Sequence, residues 1–370
     1  MGKGKKKTRL ALAQEKAQAA INKTNEKIEE LGEKTSVLYD ALTTIQEDFD
    51  KIRNVPSDKR LEYEHLKKIR LEWKHQAEKI EKDYKMAAAK DAGAGVAGAG
   101  VGVAVVTMGP TVAMGVATTF GVASTGTAIS TLSGAAATNA ALAWLGGGAL
   151  AAGGGGMAAG EAFLALAGPV GWAIAGVALL TSGIFFFKTK TDQKHLEDVF
   201  TTISDRDVKS YDLAIVELNE RIDRIVDESA KLSDAIKEIE TFGLDYNTMT
   251  EKQQYTLGAY VNLMSSSTQL LVNPIMGIQP KYSKADFEKY IAWPLRKSDS
   301  DLCSKYETLI ISLANFLYKI DINDRDRKLL WKALRRNKKM LKSMDVSKKE
   351  FNAQLFDAVY EALDYKYKSA

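Results

Sequence analysis

A single cysteine, Cys303, and three histidines, His65, His75 and His195, are all that 370 residues offer toward thiolate or imidazole chemistry. One cysteine cannot close an intrachain disulfide, and it supplies no thiolate cluster for zinc. Each histidine lies inside a charged helical pattern, which reads as a solvated helix face. Neither a Walker-type phosphate loop nor a Ser/His/Asp or Cys/His arrangement occurs in the chain. The run "GAGVAGAG" meets G-x-G-x-x-G spacing from Gly93, but no strand pattern precedes it and no capping residue follows. "DINDRD" lacks the later glycine and closing glutamate of a calcium loop. The expectation is a protein that is not an enzyme, with no cofactor, no metal and no small-molecule substrate.

Charge is also missing, but only in one place. The chain carries a formal net charge of +4 and 26% charged residues, yet Glu161 is the one charged side chain between Ala92 and Phe187. Twenty-two of the 28 glycines fall in the same window, eight of them among the fifteen residues Gly146 to Gly160. A water-soluble linker of that length carries Ser, Lys, Glu and Pro. This segment carries Ala, Val, Leu, Phe and Trp instead, so it is an apolar insert and not a linker. The N-terminus, "MGKGKKKTRL", is basic but lacks the apolar core of a secretory signal, which points to a chain held in the cytosol. Its lysines form either a solvated tail or a contact for anionic lipid or nucleic acid.

What the chain does have is helical periodicity. Ile21, Ile28, Leu31, Leu38, Leu42, Ile45, Phe49 and Ile52 fall on three- and four-residue steps, with Thr24 and Thr35 as weak members of the same coiled-coil seam. "NVPSD" at 54–58 stops that helix, and Ser57 or Asp58 caps the next. Leu66, Ile69, Trp73, Ala77, Ile80 and Tyr84 make its seam, so the two helices form an antiparallel hairpin. A third seam, Tyr211, Ile215, Leu218, Ile222, Ile225, Ser229, Leu232, Ile236 and Ile239, steps 4,3,4,3 throughout, and Gly243 follows as a C-terminal cap. Fifty helical residues span about 75 Å, which makes a rod. A homo-oligomeric coiled coil without intrachain pairing is the alternative. Beyond Tyr246 the pattern shortens to amphipathic helices, of which "RDRKLLWKALRRNKKMLK" (325–342) is basic. It presents either a solvated face or a contact for acidic lipid or an acidic protein.

Within the insert, "FLALAGPVGWAIAGVALLTSGIFFF" (163–187) gives about 37 Å of helix, enough to cross a hydrocarbon core of about 30 Å. Trp172 lies inside it, and Phe185, Phe186 and Phe187 form an aromatic band just before Lys188 and Lys190. The stretch from Ala92 to Ala123 holds one or two further spans around Gly109 and Pro110, and 124–145, which includes Trp144, holds another. Ser124, Thr127, Thr131, Gly134 and Thr138 share one helix face, suited either to close packing in lipid or to lining a wet lumen. Small-xxx-small spacings join Gly98 to Gly102, Gly156 to Gly160 and Gly171 to Ala175. Gly153 to Gly156 belong to a pliable apex that ends at Glu161. That carboxylate either sits in a turn between spans or faces a pore as a proton-sensing group. Lysines flank the insert on both sides, so its ends share one face of the membrane and the spans number two or four. The helix leaving the insert can then return antiparallel to the 58–90 helix.

Long amphipathic helices around a central Gly/Ala-rich apolar hairpin resemble the α-helical pore-forming toxins of the cytolysin A and haemolysin BL type, over most of residues 9–242. "STGTAISTLSGAAATNAALAWLGGGALAAGGGGMAAG" is similar to the glycine-zipper segments of interferon-stimulated mitochondrial membrane proteins and apolipoprotein-L-like proteins, and to an apolar module of bacterial membrane effectors. The resemblance implies a pore-forming or membrane-disrupting effector of toxin or abortive-infection type that partners a lipid bilayer and assembles with copies of itself. The chain departs from secreted toxins in lacking a signal peptide. A constitutive integral membrane coiled-coil scaffold that recruits partners is the alternative. The expected architecture is all-α: a coiled-coil hairpin (1–91), an apolar membrane-inserting region (92–187), a long helix packing on the hairpin (188–243) and a C-terminal helical domain (244–370). Expected locations are a cytoplasmic soluble form that moves to a membrane, or an integral membrane protein with both ends cytosolic.

Overall fold

A computed structural model describes residues 9–93, 109–121, 189–278, 281–336, 341 and 346–369. Most of the apolar insert lies outside the described residues, and with it Gly98, Gly102, Ser124, Thr127, Thr131, Gly134, Thr138, Trp144, Gly153, Gly156, Gly160, Glu161, Trp172, Phe185, Phe186 and Phe187. The described residues are all-α. Long helices α1 (Arg9–Lys51), α2 (Ser57–Gly93) and α4 (Lys190–Ile239) are joined by a short α3 (Pro110–Phe120) and by α5 (Glu251–Val272). A C-terminal set follows: α6 (Lys284–Ala292), α7 (Ser300–Lys305), α8 (Glu307–Leu317), α9 (Asp324–Arg336) and α10 (Ala353–Ser369).

Two hydrophobic cores organise these helices. The first buries the seams read from periodicity: Ile28, Leu31, Leu38, Leu42 and Ile45 of α1, Leu66, Ile69, Trp73, Ala77 and Ile80 of α2, and Leu218, Ile222, Ile225 and Leu232 of α4. Helix α2 runs antiparallel to α1, with Phe49 on Tyr63 at 5.3 Å and Tyr39 on Trp73 at 5.6 Å between ring centroids. Helix α4 runs parallel to α1. Leu10 shares a core with Leu196 and Phe200 at one end, and at the other the Arg53 amide donates to the Leu244 carbonyl at 2.9 Å. Helix α4 ends at Ile239 with Glu240 at its cap, three residues short of the cap expected at Gly243, which instead takes the left-handed conformation, φ +83°, in the turn that follows.

Two expectations need correction. The outgoing helix α4 packs along α1 and not along α2, because α3 and α5 occupy the flank of the hairpin that it would need. The boundary placed at 243/244 falls inside the first core, which continues through Leu257, Val261, Met264, Leu271 and Ile275. Helix α5 is therefore the bundle's own. It lies antiparallel to α4, where Arg221 donates to the Leu270 carbonyl at 2.7 Å and Ser267 to Glu228 at 2.8 Å.

The second core gathers α6 to α10 around Tyr282, Phe316, Phe351 and Phe356, and it also takes in Leu196, Val199, Phe200 and Ile203 from the start of α4. The residues that leave the insert are thus rooted in the C-terminal domain.

Candidate functional site

The one described helix of the insert is α3, and its sequence, PTVAMGVATTF, contains no charged side chain. Pro110 opens it at the position where a missing amide does no harm. Gly121, at φ +75°, closes it and donates to the Ala117 carbonyl at 2.9 Å. Valine and threonine are mediocre helix formers, and an isolated helix of this length is marginal in water. Packing therefore holds α3 together. Every residue from Val112 to Phe120 is buried, in a seat made by α1, α2 and α5. Burying side chains such as Val116 and Phe120 stabilises by about 1.5–3 kcal/mol each.

The seat is shaped for glycine. A Cβ placed on Gly32 of α1 would lie 2.0 Å from the Thr111 carbonyl oxygen, and one on Gly115 would lie 2.0 Å from that of Ile28. The two backbones touch there, which only glycine on both helices permits. At the far end, the Ile275 amide donates to the Thr119 carbonyl at 2.8 Å, just beyond α5.

The bundle interior is not fully satisfied. Among the described residues, the Thr35, Thr118 and Thr268 hydroxyls and the Trp73 indole nitrogen are buried with no hydrogen-bond partner. Arg70, 3% exposed, buries Nε and Nη1 without a partner among the described residues and lies over the Tyr39 ring, 5.9 Å from its centroid. Burial depresses the Arg70 pKa. Tyr39 and the more distant Asp50 and Glu47 offset that burial only in part, and an apolar side chain of similar length removes the cost of burying the charge. Arg70→Met is expected to raise stability by about 1–2 kcal/mol in a urea titration. A loss of stability would mean that Arg70 holds a counter-charge in solution.

The root of α4 forms the second joint. Arg325 of α9 pairs with Asp192 at 3.0 Å, and His195 Nδ1 lies 2.9 Å from Asp326 Oδ1. His195 is therefore bridged to α9, which corrects its reading as a freely solvated histidine, whereas His65 and His75 are exposed as expected. The Arg325 guanidinium holds the Asp192 carboxyl below its usual range. Arg206 donates to the Phe316 carbonyl at 3.1 Å and to that of Tyr318, tying α4 to the end of α8. Beside it Asp207 is 1% exposed, with one carboxylate oxygen 2.7 Å from Arg206 and the other unpartnered, and burial pushes its pKa up to about 6.

Much of the basic character of α9 is engaged within the fold. Arg327 pairs with Asp357 at 2.6 Å and stacks on the Tyr360 ring at 3.9 Å, and Arg335 donates to the Lys348 carbonyl at 2.9 Å. Among the described residues no group of three or more His, Cys, Asp and Glu side chains is placed to hold a metal ion, and no described helix is long and apolar enough to cross a membrane. No protein-family model, curated protein or solved structure matches the chain.

Proposed function

We propose that this chain is a membrane-inserting, oligomerising α-helical effector that forms pores or disrupts bilayers, in the manner of a toxin or an abortive-infection protein. One observation carries the reading. A stretch of 96 residues with a single charge interrupts an amphipathic bundle, and the piece of it seen as α3 is buried inside that bundle. An apolar surface of that size is not sustained in contact with water. A protein that shelters it in its own core, against a close glycine crossing of the kind helices use in lipid, is built to exchange one apolar environment for another. The root of α4 supports the same reading, because it fixes the end of the insert to a separate hydrophobic core.

Purified protein added to dye-loaded liposomes tests the proposal. Release that rises steeply with protein concentration is expected, as assembly on the membrane requires. Intact liposomes at every lipid composition and pH would rule the reading out.

A further inference from the structure

We infer that the crossing of α1 and α3 at Gly32 and Gly115 is an autoinhibitory clasp, which keeps the apolar segment in the bundle and must part before that segment meets lipid. The inference rests on the membrane-insertion reading above. Its geometry is reciprocal: each glycine lies against a backbone carbonyl of the other helix, so a side chain on either one pushes the helices apart. At the far end of α3, Gly121 lies under the Val272 carbonyl, where a Cβ would come within 2.6 Å.

The chemistry of the contact suits release. Helix α3 carries no charged side chain, so its departure strands no ion. Close packing of small residues relies on dispersion and shape, which a lipid-embedded helix pair supplies equally well. Among the described residues the buried Thr118 hydroxyl has no partner, so the seat leaves a polar group that a new helix partner can satisfy. Gly32 is also the one glycine in the 43 residues of α1. Alanine there is the better helix former, so a variant that loosens α3 does so through the contact and not through helix propensity.

Full-length Gly32→Ala and Gly115→Ala proteins test the clasp, with Gly109→Ala as control, because a Cβ at Gly109 meets nothing within 4 Å. Hydrogen–deuterium exchange of peptides covering 109–121 and flotation with phosphatidylcholine/phosphatidylglycerol vesicles are read in parallel. Exchange in 109–121 is expected to quicken by more than about tenfold in both variants, with more protein floating, while the control matches wild type. Unchanged protection of 109–121 in both variants overturns the clasp and leaves the membrane reading intact. Exposure of 109–121 without added flotation overturns autoinhibition. If wild type also fails to bind vesicles or release dye, the membrane reading falls with it. Should either variant lose its helical circular dichroism, Gly121→Ala, whose Cβ presses on the Val272 carbonyl at the other end of α3, is judged by the same two readouts.

Discussion

Trp73→Ala is expected to destabilise the protein by about 3–5 kcal/mol, seen as a lower urea midpoint with an unchanged slope. Trp73 is 0% exposed and sits near the middle of α2, where it faces α1. Its ring rests on Tyr39 at 5.6 Å, and the Arg70 guanidinium lies over the other partner of that pair. Truncation removes the largest side chain of the hairpin interface and leaves a cavity beside a buried cation. Neighbouring helices cannot close that cavity fully, because α3 and α5 hold the flank of the hairpin. Leu61, on the same helix but 66% exposed, is the matched control, and Leu61→Ala is expected to shift stability by less than about 0.5 kcal/mol. Equal losses at the two positions would mean that the hairpin interface is not where the structure places it.

The seams of α1, α2 and α4 were legible in the sequence because each of these helices buries a single stripe over most of its length. A repeating step of three and four residues is what a one-sided helix requires. The same rule failed at the start of α4 for a physical reason. Stepping back from Tyr211 leads to Val208, Ser204 and Thr201, so the apolar stripe fades just where Leu196, Val199, Phe200 and Ile203 are buried. There the C-terminal domain covers a second face of the helix, and a helix buried on two faces has no clean period. The C-terminal helices suffered likewise: "LCSKYETLIISLANFLYKI" reads as one helix but divides into α7 and α8 at Tyr306.

The seat of α3 left one sign in the sequence that was readable. Gly32 interrupts α1 between two seam positions, Leu31 and Thr35, in a helix otherwise free of glycine. Glycine inside a helix sacrifices about 1 kcal/mol relative to alanine, and its presence there marks a close backbone approach. Nothing on α1 told which segment made that approach. Gly115 is one of 22 glycines in the insert, and composition alone does not set it apart. Asp207 was hidden for a different reason. An aspartate in a charged helix reads as solvated, and only the packing of a distant domain puts it in the dark.

That buried carboxylate gives the sharpest pH prediction. The folded pKa of Asp207 is raised by burial to about 6, above the ordinary value near 3.9 that it takes in the unfolded chain. Between those values the folded state holds a proton that the unfolded state has lost, so this group's contribution is fully present below about pH 4 and disappears as pH rises through about 6. Other groups oppose it. Asp192, Asp286 and Glu361 have depressed pKa values, and hydrogen bonds from Ser347, Tyr306 and Lys305 hold Glu350 at about 2. Their stabilisation is present at neutral pH and fades as pH falls toward their folded values. The stability curve of the protein is therefore a composite, and the Asp207 contribution is read from a difference. Asp207→Asn retains an acceptor for Arg206 and stays neutral at every pH. The variant is expected to be more stable than wild type at pH 7.5, on the order of 2 kcal/mol, and the gap should close as pH falls to 4. Paired urea titrations across that range measure the gap. A gap that is constant with pH, or that widens in acid, would show that Asp207 is ionised and well compensated in the folded protein. A gap that closes means that acid tightens the joint between α4 and α8. The Asp207 contact near the root of the insert then holds more firmly as pH falls through about 6, and dye release that depends on freeing that root should be slower at pH 5 than at pH 7.5.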